Sequence, residues 1–313
     1  MKKFLGLLLL LALTFSCRNE ENNKLPNSDT AEDSDTTEFQ EIIKDEYVLN
    51  KSTKNSNGVL VLFGGYAENA EGIKREFTIL ENAKDNDIAV LYMNYNRKLW
   101  FEGNELLELS DQLENIFKDN KLPTDNIYMG GFSSGGNMAL LVSNFLTQQN
   151  SNSAPKGVFI VDSPLDLSEL YATAKKGVER DVSGPADEES TWLIKMFSEK
   201  LGNPDKDISK YEAYSVFTSR SNTINNIKDL KNTKIRFYTE PDTIWWKEHA
   251  MSEYEEMNAY HIKKLSESLN KLDFKDVVYI PTKNKGYRSD GERHPHSWSI
   301  VDKNDLINWM LNK

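Results

Sequence analysis

The sequence predicts an α/β fold: a mostly parallel, doubly wound sheet with a helical lid insertion. Three observations predict the sheet and its helices. Short runs such as "GVLVLF", "IAVLYM" and "GVFIV" are apolar throughout. Continuous rather than alternating apolar strands mean a sheet covered on both faces. These runs alternate with stretches of helical period, the pattern of parallel strands joined by crossover helices. The chain has 313 residues, 38% of them hydrophobic, enough to bury one large core. Its net charge of −11 argues against a nucleic-acid binder, which needs a basic surface to neutralise phosphates.

In chain order, "MKKFLGLLLLLALTFSC" comes first, with Lys2 and Lys3 ahead of an apolar run from Phe4 to Leu13. That run is short for a membrane span and has the layout of an export signal. Ending in Ser-Cys, the segment resembles a bacterial lipoprotein signal, although Thr14 and Phe15 stand where that pattern has Leu and a small residue. The resemblance implies a signal peptide over 1–17, lipidation of Cys17, and a membrane partner through that lipid. The chain would be exported and anchored to a bacterial membrane, in the periplasm or at the cell surface. Cys17 is the single cysteine, which excludes a disulfide framework. Residues 18–46 hold ten Asp/Glu against three Lys/Arg. Such a segment cannot bury enough surface to order itself and is expected to be a disordered tether.

The folded domain is expected over 47–313. Gly58 to Gly65 is a strand ending in glycines, and "EGIKREFTILENAKDN" carries Ile73, Phe77 and Leu80 at helical spacing. "DIAVLYMNYN" is the next strand. "NELLELSDQLENIFKDN" is an amphipathic helix with Leu106, Leu109, Leu113, Ile116 and Phe117 on one face. "NIYMGG" is a strand and "GNMALLVSNFLTQQN" a helix. "KGVFIVD", "TKIRFYTE" and "KDVVYIP" are further strands. "DKNDLINWMLNK" closes the chain as a helix that Asp302 can cap, with Asp305 in its first turn. The rhythm breaks over about 165–230, where helical segments such as "TWLIKMFSEKL" follow one another. This stretch is expected to lie over the strand ends as a lid.

In a parallel sheet, function sits beyond the carboxyl ends of the strands. The turn after "NIYM" is Gly131-Phe132-Ser133-Ser134-Gly135, which fits G-x-S-x-G. A serine on so sharp a strand-to-helix turn crowds the positions two before and two after it, so glycine is needed there. The spacing predicts Ser133 as nucleophile. The amide of Ser134, at the helix N-terminus, would point at a developing oxyanion. A phosphate-binding loop is disfavoured, because no Gly-Lys-Ser/Thr follows and the glycines do not fit G-x-G-x-x-G. On this motif and its strand–helix context the chain resembles the α/β-hydrolase superfamily, from about Gly58 to the C-terminus.

That resemblance implies a base between the last strand and the last helix, where "GERHPHSWSIVD" offers His294 and His296. His296 is preferred, with His294 second. His249 and His261 fall in a long helical stretch and are expected to pack or face solvent. The family's acid usually follows the penultimate strand, which makes Asp242 the expected acid, with Glu240 close enough to compete. Asp162, at the end of "VFIVD", is the alternative for hydrolases whose acid sits one strand earlier, but it is expected instead to be a hydrogen-bonded structural aspartate in "DSPLDL". The second oxyanion donor should come from "FGGY", through the amide of Gly65 or Tyr66. Phe63 replaces the histidine of the full HGGG motif.

The resemblance thus implies a serine hydrolase that cleaves carboxylic esters through an acyl-enzyme, on a small-molecule or glycan ester. No cofactor is called for, and no metal-binding motif is present in the sequence. Two other functions share the motifs. One is a serine peptidase of the prolyl-oligopeptidase kind; the other is a non-catalytic surface binding protein with the same fold. Trp192, Trp245 and Trp246 could stack on sugar rings or acyl groups, though packing is the commoner use of such indoles.

Overall fold

The computed structural model describes residues 38–180 and 185–312. The signal peptide, Cys17 and the first part of the tether lie outside the described residues. One sheet of eight strands organises the rest: β1 (Phe39–Ile43), β2 (Tyr47–Ser52), β3 (Gly58–Phe63), β4 (Ile88–Met93), β5 (Ile127–Phe132), β6 (Gly157–Val161), β7 (Lys234–Thr239) and β8 (Val277–Pro281). Their spatial order is β1-β2-β4-β3-β5-β6-β7-β8. β2 pairs antiparallel with β1 and β4. Every pairing from β4 across to β8 is parallel.

Ten helices connect and cover the described strands: α1 (Ala70–Glu76), α2 (Leu80–Lys84), α3 (Glu105–Asp119), α4 (Ser134–Gln148), α5 (Leu167–Glu179), α6 (Pro185–Lys200), α7 (Ser209–Glu212), α8 (Thr243–Ala250), α9 (Asn258–Lys271) and α10 (Lys303–Leu311). In β3, Val59, Val61 and Phe63 join a cluster with Leu113 of α3, Leu140 of α4 and Leu265 of α9. Leu60 and Leu62 point the other way, into a cluster with Ile73 of α1, Ala83 of α2 and Leu306 of α10. Successive side chains leave opposite faces of a strand, so both faces need apolar residues. β3, β4 and β6 are accordingly buried along their whole length.

Several elements differ from the sequence expectation, β2 among them. The sheet begins inside the stretch expected to be tether: Phe39–Ile43 pairs along β2 from Phe39↔Ser52 to Ile43↔Val48. Backbone pairing at an edge needs little apolar burial, so an acidic strand is tolerated there. The helical stretch after β3 is two helices, interrupted where Phe77 turns inward and stacks on Trp298 with centroids 4.7 Å apart. The stretch holding His249 and His261 is also broken, by Met251 at φ 48° and a 3₁₀ turn over Tyr254–Glu256.

The insertion between β6 and β7 comprises α5, α6, α7 and a 3₁₀ segment, Asn225–Asn232. Leu167, Leu193, Phe197 and Tyr211 from it form a third apolar cluster with Leu99 and Trp100, which follow β4, and Tyr66, which follows β3, packs against it. The insertion is therefore seated on loops at the carboxyl ends of the strands.

Candidate active site

β5 ends at Phe132 and α4 starts at Ser134, which leaves Ser133 alone in the turn. Its backbone takes φ 51°, ψ −128°, a sparsely populated region that costs about 1–3 kcal/mol for a residue with a side chain. The glycines make the turn possible. A Cβ on Gly131 would sit 2.1 Å from the carbonyl oxygen of Gly135. A Cβ on Gly135 would sit 2.3 Å from the carbonyl oxygens of Phe63 and Gly64. The amide of Ser133 donates to the carbonyl of Val161 at 2.9 Å, tying the turn to the end of β6.

Ser133 and His296 line one cleft, together with Gly65, Tyr66 and Glu68. The His296 ring rests against Phe132, centroids 4.4 Å apart. Its Nδ1 lies 2.7 Å from Oδ2 of Asp162. A carboxylate there fixes the tautomer with the proton on Nδ1, so Nε2 is free to take a proton from a hydroxyl. Asp162 is itself held firmly. Its Oδ1 accepts from Thr239 Oγ1 at 2.9 Å, its amide donates to the Tyr238 carbonyl at 2.9 Å, and its carbonyl accepts from Asn258 Nδ2 at 2.9 Å.

The expected acid, Asp242, is elsewhere. It caps α8, accepting the amide of Trp245 at 3.1 Å, and pairs with Arg293 Nη2 at 2.7 Å. Glu240 is also paired to Arg293, and accepts the amides of Lys285 at 2.8 Å and Gly286 at 3.0 Å. Both carboxylates after β7 are thus spent on Arg293 and on the turn that leads to the histidines. The acid facing His296 is Asp162, one strand earlier. Arg293, three residues before His296, is the cation that takes up both carboxylates.

Among the described residues His294 has no carboxylate hydrogen-bond partner. It packs against Trp245 at 4.6 Å and Trp246 at 6.0 Å. Burial, with the nearby charges of Arg288 and His296, pushes its pKa down to about 4. Trp245 also stacks on His249 at 4.2 Å, so these two indoles pack among histidines. Trp192 instead reaches Tyr66 of the cleft, with centroids 4.6 Å apart. His261 is buried in α9 and its Nε2 lies 3.0 Å from the Glu255 carbonyl.

The oxyanion donors need one correction. Ser134 opens α4, where backbone amides have no intrahelical acceptor. Gly65 lies close to the nucleophile, since a Cβ on it would be 3.6 Å from Cβ of Ser133. Its amide, however, already donates to Oε2 of Glu68 at 3.0 Å. Tyr66 therefore remains as the candidate donor from this loop. Glu68, which no motif in the sequence marks, also accepts the indole N–H of Trp298 at 3.0 Å. Burial raises the proton affinity of its carboxyl, against the lowering effect of these two donors.

The chain is similar to several solved structures. One is an esterase/lipase from an uncultured bacterium, 11% identical over 90% of this chain and 87% of that one, with a TM-score of 0.54. Another is an esterase from the bacterial hormone-sensitive lipase (HSL) family, 11% identical over 88% and 83%, TM-score 0.54. A third is carboxyl esterase 2 from the mycorrhizal fungus Tuber melanosporum, 14% identical over 89% and 87%, TM-score 0.51. At such identities the likeness shows the fold, and the fold is that of an α/β-hydrolase. No protein-family model matches the chain, and no curated protein is significantly similar to it.

Proposed function

We propose that this chain is a serine hydrolase that cleaves carboxylic esters through an acyl-enzyme. The observation that carries the reading is a strained serine sharing a cleft with a histidine whose Nδ1 is 2.7 Å from a buried carboxylate. Ser133 Oγ attacks the ester carbonyl while His296 Nε2 takes its proton. Asp162 stabilises the resulting imidazolium. The tetrahedral oxyanion is held by the amides of Ser134 and Tyr66. As the intermediate collapses, His296 returns the proton to the departing alcohol. Water, activated by the same imidazole, then releases the acid and restores Ser133. Esters rather than amides are the proposed substrates, and the similar structures are named as esterases and lipases.

The test is labelling with a fluorophosphonate probe. Wild type is expected to label and Ser133→Ala to remain unlabelled; label in both rejects Ser133 as nucleophile. Turnover of p-nitrophenyl esters without turnover of aminoacyl anilides separates esterase from peptidase.

We further propose that Cys17 is lipidated and that the enzyme works outside the cytoplasm, on esters such as acyl groups carried by extracellular glycans. The support is the export signal and its Ser-Cys ending. Palmitate label in wild type and none in Cys17→Ser is expected, while equal label in both refutes the anchor. Acetate release from an acetylated polysaccharide tests the substrate class.

A further inference from the structure

We infer that Glu68 is a positioning residue that clips the oxyanion loop to the loop carrying His296, an inference that rests on the hydrolase reading. Its Oε2 accepts two hydrogen bonds from two loops that line the cleft: the Gly65 amide at 3.0 Å and the Trp298 indole N–H at 3.0 Å. The backbone of Glu68 closes the same loop, its amide donating to the Gly65 carbonyl at 3.0 Å. Asn96 Nδ2 donates to the Glu68 carbonyl at 3.1 Å.

Two glycines let the backbone pack close on the Glu68 stem. A Cβ on Gly64 would come within 2.9 Å of Glu68 Cβ, and one on Gly72 within 2.8 Å of its Cγ. Trp298 is 1% exposed, stacked on Phe77 and 5.5 Å from Phe132. It lies two residues past His296. One carboxylate oxygen thus ties the peptide next to Ser133 to the segment bearing the base.

Among the described residues Glu68 forms no ion pair. A carboxylate held in a half-buried cleft by neutral donors alone is an unfavourable group, and its raised proton affinity agrees with that. The gain is geometric. With the Gly65 amide committed, the peptide that presents the Tyr66 N–H is fixed relative to both Ser133 and His296. A misplacement of about 1 Å in such a constellation can cost about 10²-fold in rate.

The experiment is steady-state kinetics on p-nitrophenyl acetate with Ser133→Ala, Glu68→Ala, Glu68→Gln and Trp298→Phe, each with its melting temperature. Glu68→Ala is expected to lose about 10- to 100-fold in kcat with KM within about threefold, the signature of lost transition-state geometry. Glu68→Gln, whose amide oxygen accepts the same two N–H groups, is expected to keep kcat within about threefold. Trp298→Phe preserves the stack on Phe77, removes one donor, and is expected to fall between them. A wild-type kcat in Glu68→Ala overturns the inference, and so does a Glu68→Gln as impaired as Glu68→Ala. Should Glu68→Ala not fold, Trp298→Phe decides: an unchanged kcat overturns the clip. If Ser133→Ala keeps full turnover, or wild type has none, the hydrolase reading fails and the clip with it. A dead Ser133→Ala beside an unimpaired Glu68→Ala removes the clip alone.

Discussion

Asp162 Oδ2 faces His296 Nδ1 at 2.7 Å across a gap of 134 positions in the chain. The carboxylate is reached from the end of β6, while the two carboxylates after β7 are occupied by Arg293. Asp162→Asn keeps the shape but favours the wrong tautomer of His296. Its kcat on p-nitrophenyl esters is expected to fall by about 10³- to 10⁴-fold. Asp242→Asn retains a capping side chain for α8 and is expected to stay within about threefold of wild type. The reverse ranking would return the acid role to Asp242.

The elbow leaves no space for a methyl group. In Gly135→Ala the new carbon would have to displace the carbonyls of Phe63 and Gly64, both 2.3 Å away. Overpacking against backbone of this kind is expected to destabilise the fold by about 3 kcal/mol or more. A clearly lowered melting temperature and lost fluorophosphonate labelling are the expected results, and wild-type values for both would refute the crowded turn.

Glu68 should make stability fall as pH rises. Its pKa in the fold is raised above the ordinary 4.5, so the folded state favours the protonated form. The associated stability is whole below 4.5 and is lost as pH climbs through the raised value. Glu68→Gln, which never ionises, is expected to melt at or above wild type near about pH 8, with the difference vanishing at acid pH. A Glu68→Gln that melts lower than wild type by the same margin at both pH values contradicts this sign.

His294 should act in the opposite sense. Its pKa is pushed from 6.5 down to about 4, so the fold holds it neutral. The stability this represents is present above 6.5 and is lost as pH falls toward 4. Over that window wild type is expected to lose melting temperature faster than His294→Gln. The variant is also expected to keep most esterase activity, since His294 contacts Trp245 and Trp246 and, among the described residues, hydrogen-bonds to no carboxylate. Loss of activity in His294→Gln with an active His296→Gln would exchange the two roles.

Strands β3 to β6 were legible because they are covered on both faces and apolar almost throughout, while β7 and β8 showed only as the short strand-forming runs "IRFY" and "VVYI", with β8 just partly buried. β1 and β2 were not: an edge hairpin is held by backbone hydrogen bonds, and "FQEII" satisfies those with two of its five side chains polar. Ser133 and its glycines were legible because the constraint is local, acting through residues within two positions of the serine. The partner of His296 and the role of Glu68 were not, because each depends on which loops meet above the sheet.

By itself, then, the sequence determined the layered α/β architecture, the sharp turn at Ser133 and a histidine-bearing loop before the final helix. These follow from side-chain period and from steric limits on neighbouring residues, which are written in consecutive letters. Tertiary structure alone decided that Asp162 rather than Asp242 meets His296, and that Glu68 occupies the Gly65 amide. Several carboxylates were chemically able to serve. Which one lies within hydrogen-bond reach is set by strand order and by the competing charge of Arg293, and neither can be read from spacing along the chain.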